Sequence, residues 1–443
     1  MKEKVMADHK LALGTSVLSY IKVSGKTMAE RTQPLNDWAN ARRSLGVWPF
    51  SRVLIEPALH HTIIGDENGL DSTRGINFSS QDYLGLANRQ EMKDAARAAI
   101  DQFGVHSAGS PALCGRTSIT VQLEEKIASI LGFESSLIYP TGWAAGFGVV
   151  TGLVREADTI FIDALCHNCL QEGAKFATKN LRKFNHNDLT HLAELLKEER
   201  SNNAQGAIFI ITETLFSMDS DSPDLNAFIN LAITFEAILI LDVAHDFGAM
   251  GKHGRGLIDS LNIPNWQNHV VVMGSFSKTF ASNGGFVACH DNVRQYLRCF
   301  SSTQFFSNAI SPIQTLVVLN ALRLVFSYEG DSLRAKLMSN IDALRSSMKH
   351  HSLDMAGIPS PIVPVFVGVE KNIEATARLT SKHLIKNQLH ANLVEFPAVP
   401  RGKARFRFQV MATHLSEEIK QASLIMSLSR HLAIEELAQL KIN

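Results

Sequence analysis

The chain has no surplus of either charge: 43 Lys and Arg balance 43 Asp and Glu across 443 residues. A nucleic-acid binder, or a protein held on an anionic membrane, draws on a basic excess, so both classes are disfavoured. Cysteine is scarce and odd in number, five in all, which argues against a disulfide-stapled secreted domain and for a reducing compartment. Long apolar runs are missing too. The longest, within 206–213 and 237–241, span about 5–8 residues, the length of buried strands and far short of the roughly 20 that cross a bilayer. Low-complexity tracts, Pro-rich linkers and internal repeats are absent. The uncharged stretch 11–21 is broken by Gly14, Thr15, Ser16 and Ser19. No small-x-small cleavage site follows it, so it does not read as a signal peptide. The expectation is a soluble cytoplasmic protein.

What is present is alternation. The N-terminal segment 1–75 reads as irregular, with turn signals at Trp48-Pro49 and at 65–69, and looks like an arm or lid. From Ile76 onward, helical periodicity at 91–103, 121–131, 189–199 and 225–235 alternates with β-rich runs at 136–139, 159–162, 207–212, 237–241 and 269–273. Continuously apolar strands separated by helices imply an α/β fold with a mostly parallel sheet covered on both faces. Beyond Pro312 the pattern changes to helices over 313–326 and 333–348, then to strand candidates at 362–369 and 406–411. The expected division is an arm over 1–75, a large α/β domain over 76–312 and a smaller C-terminal α+β domain over 313–443.

In open α/β sheets the chemistry gathers beyond the carboxyl ends of the strands. Four such ends carry reactive residues. The strand run ending at Leu241 leads into Asp242-Val243-Ala244-His245, where a carboxylate is costly unless paired or used. The run ending at Gly274 leads into Ser275-Phe276-Ser277-Lys278, without the glycines a phosphate-binding P-loop requires. Ile162-Asp163 leads into Cys166-His167-Asn168-Cys169; no second cysteine pair stands at ligand spacing, so no metal is expected. Tyr139-Pro140-Thr141-Gly142-Trp143 passes from strand to helix through glycine, leaving amides that suit an anion. Singly, each admits a structural reading: a helix-capping Asp, a surface lysine on a turn. Together they supply an anion cradle, a flat group, a carboxylate and a lysine, the parts that hold one cofactor.

In this order the motifs resemble the α-oxoamine synthases, pyridoxal-phosphate (PLP) enzymes of transferase fold type I. The carrying segments are Asp82-Tyr83-Leu84-Gly85-Leu86, Thr141-Gly142-Trp143, Phe184-Asn185-His186-Asn187-Asp188, Glu213-Thr214-Leu215-Phe216-Ser217-Met218-Asp219, Asp242-Val243-Ala244-His245, residues 275–278 and residues 404–414. The resemblance implies that Lys278 bonds the cofactor and that Asp242 keeps its pyridine nitrogen protonated. It places His245 and Ser217 near the phenolic oxygen, with Glu213 beside the cofactor and His167 stacked on the ring. Gly142, Trp143 and Ser275 would cradle the phosphate, Asn308 standing where the family reaches the neighbouring subunit's phosphate. Arg407 matches the arginine that grips the substrate carboxylate, with Arg405 as its runner-up on the same strand face. The family's acidic residue after the cofactor Asp is Val243 here, its Asn after the Gly-aromatic segment is Gly146, and its Gly-Ser-Arg is Gly109-Ser110-Pro111.

The implied reaction is a decarboxylating condensation of a small amino acid with an acyl thioester, on coenzyme A or an acyl-carrier protein, in a homodimer. Gly142-Trp143 and residues 278–281 look most like the autoinducer-synthase branch, which uses medium or long acyl chains, whereas residues 396–400 with 404–406 look more like serine palmitoyltransferase or glycine C-acetyltransferase. The expectation is a fatty acyl thioester. An aminotransferase on the same fold, and a silent partner subunit of an acyltransferase, stay open as alternatives.

Overall fold

The computed structural model describes residues 2–202, 206–368 and 372–440. The chain forms two compact units, one of Gln81–Ser217 with Asp221–Lys336, the other of Met1–Ser80, Met218–Ser220 and Leu337–Asn443.

The larger unit is built on a seven-stranded sheet. Its spatial order is Ser135–Tyr139, Gly285–Cys289, Val270–Ser275, Ile238–Asp242, Ile208–Glu213, Thr159–Asp163 and Leu181–Phe184. Strand Gly285–Cys289 runs antiparallel to both its neighbours, and the remaining pairs are parallel. The central strands are apolar almost without interruption because both faces are covered. One face, with Ile160, Ile162, Ile211, Ile240, Val271, Met273 and Val287, packs with Ala145, Val149 and Val150 of helix Gly142–Leu153. On the other side Phe247, Phe276, Phe280, Phe286 and Phe326 form a ring cluster with centroids 5.3–5.8 Å apart.

The smaller unit begins with helices Lys2–Gly14 and Met28–Leu45. Strands Val53–Leu54, His61–Gly65 and Thr73–Asn77 follow as an antiparallel sheet, which Leu389–His390 joins in parallel. A second sheet orders Ile362–Phe366, Arg405–Gln409 and Asn392–Val394, all antiparallel, and helix Ile373–Lys386 packs against Ser416–Gln439.

Two expectations change. The segment 1–75 is not an irregular arm: it contributes two helices and a sheet, and it belongs to the same unit as the C-terminal region, because strand Thr73–Asn77 pairs with Leu389–His390. Helix Pro312–Val325 belongs to the larger unit, since it packs on helices Gln90–Phe103 and Ser118–Leu131. The strand expected over 362–369 spans Ile362–Phe366, and Val369 lies outside the described residues.

A buried ion triad ties the N-terminal helix down. Glu395 accepts from Arg42 at 2.8 Å and from Arg378 at 2.6 Å, with all three side chains nearly inaccessible. The guanidiniums also reach carbonyls around the end of the first helix, Arg42 those of Ala12 and Thr15, Arg378 that of Leu13. Cations there satisfy carbonyls that have no partner within the helix and complement its dipole. Burial, then repulsion by Arg378, pulls the Arg42 guanidinium down to about 10. Truncating one member of such a set strands a buried charge. Glu395→Ala is therefore expected to cost about 3–5 kcal/mol in denaturant unfolding. Arg43→Ala, which breaks a partly exposed pair with Glu67, should cost about 0–1 kcal/mol.

Candidate active site

Parallel register aligns strand ends, and here it aligns the reactive residues. Asp163, Glu213, Asp242 and Ser275 are each the last residue of their strand, and Glu213 stands directly opposite Asp242. Both carboxyls are buried. Desolvation, then the charge of Asp242, pushes Glu213 well above the carboxylate range. Asp242 is also raised by burial, but the positive charges of Lys278 and His167 pull it back toward the anion. Burial and mutual repulsion thus disfavour a second negative charge on this pair, and the two carboxyls titrate together.

Around Asp242 the chain turns tightly. The Ala244 amide donates to its Oδ1 at 2.8 Å, and Thr214 donates to its carbonyl through both amide and hydroxyl. The single proton of that hydroxyl is shared with Asp246, 2.5 Å away, where burial pushes the carboxyl up to about 7. Lys278 is half-buried on the loop after Val270–Ser275, and its charge acts on Asp242, Glu213 and Cys169. His167 donates its amide to Glu213 and holds its Nδ1 3.0 Å from Cys169 Sγ. The structure thus brings together Lys278, Asp242, Glu213 and His167.

His245, three residues past Asp242, is buried with Nδ1 3.0 Å from the Tyr83 hydroxyl. Ser217 is half-buried on the loop that follows Ile208–Glu213. At the start of helix Gly142–Leu153, Thr141 caps the Ala144 amide at 3.0 Å, and the first-turn amides of Gly142 and Trp143 have no intrahelical acceptor. A Cβ on Gly142 would stand 2.5 Å from the Ser275 side chain, so only glycine lets the helix start close over that serine. Ser275 Oγ lies 2.7 Å from Ser277 Oγ. Trp143 is exposed and stacks on Phe147 at 5.1 Å. Asn308 is exposed beyond the short helix Ser302–Phe305, its carbonyl accepting from Ser307.

In the smaller unit, Arg405 is committed: it pairs with Asp219 at 2.5 Å and donates to the carbonyls of Met218 and Lys403. Arg407, two residues on along the same strand, is half-buried with Nη1 3.9 Å from Met218 Sδ. Cys166 and Cys169 are buried thiols, both raised by desolvation. Among the described residues no three His, Cys, Asp or Glu side chains gather as a metal set.

Sequence reasoning passed over one cluster. His186 lies between Asp163, 2.9 Å from Nδ1, and Asp221, 2.8 Å from Nε2, with the edge of the Phe216 ring beside it. Burial alone would lower its pKa, but hydrogen bonds and charge from the two aspartates outweigh it and raise it from 6.5 to about 10. The imidazolium joins the strand end that leads to His167 to the loop that carries Ser217. A raised folded-state pKa contributes stability in full below about 6.5, and that contribution is lost as pH rises toward 10. In thermal melts His186→Gln should therefore fall several degrees below the parent at pH 6, with the gap closing as pH approaches 10.

Comparison with known proteins gives this geometry its context. The aminotransferase class I and II family model matches residues 73–423. The 8-amino-7-oxononanoate synthase of Coprothermobacter proteolyticus is 32% identical over 381 residues, covering 86% of this chain and 93% of that one. Serine palmitoyltransferase of Sphingobacterium spiritivorum is 31% identical over 353 residues, covering 80% and 86%. The solved serine palmitoyltransferase of Sphingomonas wittichii, 23% identical, superposes with a TM-score of 0.84 over 93% of this chain and all of that one, which shows the shared fold. With two such relatives aligned over most of its length, and a lysine beside a buried carboxylate pair at the carboxyl edge of its sheet, this chain belongs to the α-oxoamine synthases, PLP-dependent acyltransferases of the aminotransferase class I and II family.

Proposed function

We propose that this enzyme condenses a small α-amino acid with a medium- or long-chain acyl thioester, on coenzyme A or an acyl-carrier protein, releasing carbon dioxide and an α-aminoketone. It works as a cytoplasmic homodimer. The observation that carries the reading is the cluster at the carboxyl edge, where half-buried Lys278 acts on the buried register partners Glu213 and Asp242.

The residues fit PLP. The glycine-gated helix start at Gly142, with the Trp143 amide and Ser275, suits a phosphate monoester, and Asn308 is the candidate for the phosphate across the dimer. Asp242 suits a protonated pyridine nitrogen. When bound, the cofactor withdraws electrons from the α-carbon of the amino acid.

The chain's own groups do the rest. Asp242, drawn toward the anion by Lys278 and His167, would hold the ring-nitrogen proton in place. His167, its Nδ1 turned to Cys169, would stack its ring on the cofactor. His245, oriented through Nδ1 by Tyr83, and Ser217 would hold the phenolic oxygen. Lys278 Nζ takes the α-proton of the amino acid and later returns one. Between these two transfers, the α-carbon attacks the thioester carbonyl, the thiol leaves, and the amino-acid carboxylate departs as carbon dioxide. Arg407 grips that carboxylate beforehand with a bidentate fork, and Arg405 positions the strand through Asp219.

Lys278→Ala should lower aminoketone formation by about 10³-fold or more, measured as thiol release with each small amino acid in turn. A Lys278→Ala protein that retains more than a tenth of the parent rate would overturn the assignment of Lys278. The two arginines should separate in kind. Arg407→Lys is expected to raise KM for the amino acid about tenfold with an unchanged melting temperature, because lysine cannot form the fork. Arg405→Lys should lower the melting temperature and leave that KM near the parent value.

A further inference from the structure

His167 is exposed, so burial does not hold its ring. Its place at the head of helix Asn168–Ala177 does. The ring caps that helix, with Nδ1 accepting from the Cys169 amide at 3.3 Å. Cys169 Sγ lies 3.0 Å from the same nitrogen. A backbone amide always donates, so the neutral ring has no proton on Nδ1 and keeps its own on Nε2. The sulfur is protonated as well, because burial, then the charges of Asp242 and Glu213, push the Cys169 thiol up. Two donors, the amide and the side chain of a single residue, therefore converge on Nδ1.

The two donors part ways when the ring gains charge. A second proton enters at Nδ1, where the amide can only oppose it. The thiol can turn its hydrogen away and accept instead, since sulfur is both a weak donor and a weak acceptor. The bond it then accepts is charge-assisted and the stronger of the two. Cys169 thus gives Nδ1 a partner in both protonation states, and the ring need not rotate between them. The charged state matters here, because the positive charge of His167 is one of two that draw Asp242 toward the anion.

The sulfur is itself fixed. Cys169 is buried among apolar side chains that include Ala145, Val149 and Val150 of helix Gly142–Leu153. A Cβ on Gly146 would stand 2.4 Å from Sγ; the next atom it would meet, Met273 Cε at 3.2 Å, is the flexible end of a side chain. The bare backbone at 146 is therefore room for the sulfur. At its other end His167 is held by Glu213, which accepts from its amide. Gly146, Cys169, His167, Glu213 and Asp242 all belong to the larger unit.

We propose that Cys169 is the positioning residue for His167: its thiol holds the imidazole in one orientation, the neutral ring protonated on Nε2, and Gly146 supplies the space the sulfur needs. Nε2–H is thereby presented on the flank of the ring turned from the sulfur. The part this ring plays in catalysis rests on the condensation reading, but its bonding to Cys169 does not.

The test compares the parent with Cys169→Ala, Cys169→Ser and Gly146→Ala, each with isotopically labelled histidine and without added PLP. Long-range proton–nitrogen NMR spectra report which ring nitrogen carries the proton, and His167→Gln identifies the signal. In the parent at about pH 8, above the ordinary histidine range, His167 is expected to carry its proton on Nε2. Cys169→Ala should lower the midpoint for protonation of His167 by about half a pH unit or more, because a charge-assisted acceptor is lost. Cys169→Ser should restore the parent midpoint, since a hydroxyl also donates and accepts. Gly146→Ala, which pushes the sulfur away, should reproduce the shift, and adding it to Cys169→Ala should change nothing further. The two alanine variants break the same bond from two sides, so either one suffices. With PLP loaded, Cys169→Ala should lower kcat about tenfold to a hundredfold and leave KM for the amino acid near the parent value. The inference is overturned if His167 of the parent carries its proton on Nδ1, if neither alanine variant moves the midpoint, or if serine does not restore it. It is equally overturned if the midpoint moves and kcat does not. A parent enzyme with the expected tautomer and shift that makes no aminoketone from any thioester would sink the condensation reading and leave the bond between Cys169 and His167 standing.

Discussion

Everything at the carboxyl edge of the large sheet depends on placing two carboxyls side by side in the interior. Glu213 and Asp242 are register partners on adjacent parallel strands, and two buried negative charges at that spacing would repel strongly. Burial and the neighbouring charge raise Glu213, while the positive charge of Lys278 and His167 draws Asp242 back toward the anion. The same arrangement favours the anion at Asp242, where a cationic ring nitrogen could use it. What destabilises the bare protein is therefore what the cofactor would relieve. PLP loading is expected to stabilise the fold by mass action.

The supporting groups follow from this centre. Thr214 bonds both the Asp242 carbonyl and Asp246, so the turn that carries His245 is braced from below. Tyr83 sets the His245 ring, and the His186 imidazolium holds the loop of His167 against the loop of Ser217. Two departures from the family pattern find local reasons. Val243 is fully buried, so an acidic residue there would meet an apolar surround. Gly146 lies so close to Cys169 that an added Cβ would stand 2.4 Å from its sulfur; the helix that begins the anion cradle is packed tightly against the helix that begins at Asn168.

The strands and their reactive ends were legible because burial on both faces leaves long apolar runs that stop at a polar residue. Asp242, Lys278, His167 and Gly142 all announce themselves that way. The N-terminal helices were not, although Thr27 and Glu30 form a capping box and Gly46 ends the second helix at φ +74°. Pro34 inside that helix and its largely polar surface mask the periodicity. Strand Gly285–Cys289 was hidden behind the turn-like Gly284-Gly285 pair. The bond between Tyr83 and His245 and the clamp on His186 span 162 and up to 35 residues of sequence, and no local spacing signals such pairings. The same holds for the alliance of Met1–Ser80 with the C-terminal region, to which a two-residue parallel strand pairing, the Glu395 triad and the packing of Ala12, Leu13 and Val47 on Leu379 and Leu437 all contribute.

The central claim is that Lys278 is the one lysine covalently joined to PLP. The most direct measurement is borohydride reduction of the PLP-loaded enzyme, followed by peptide mass spectrometry. The expected result is a cofactor-sized mass gain on the peptide containing Lys278, together with loss of the visible absorption band, and no gain in the Lys278→Ala protein. A cofactor adduct on a different lysine, or a loaded enzyme that acquires none, would contradict it.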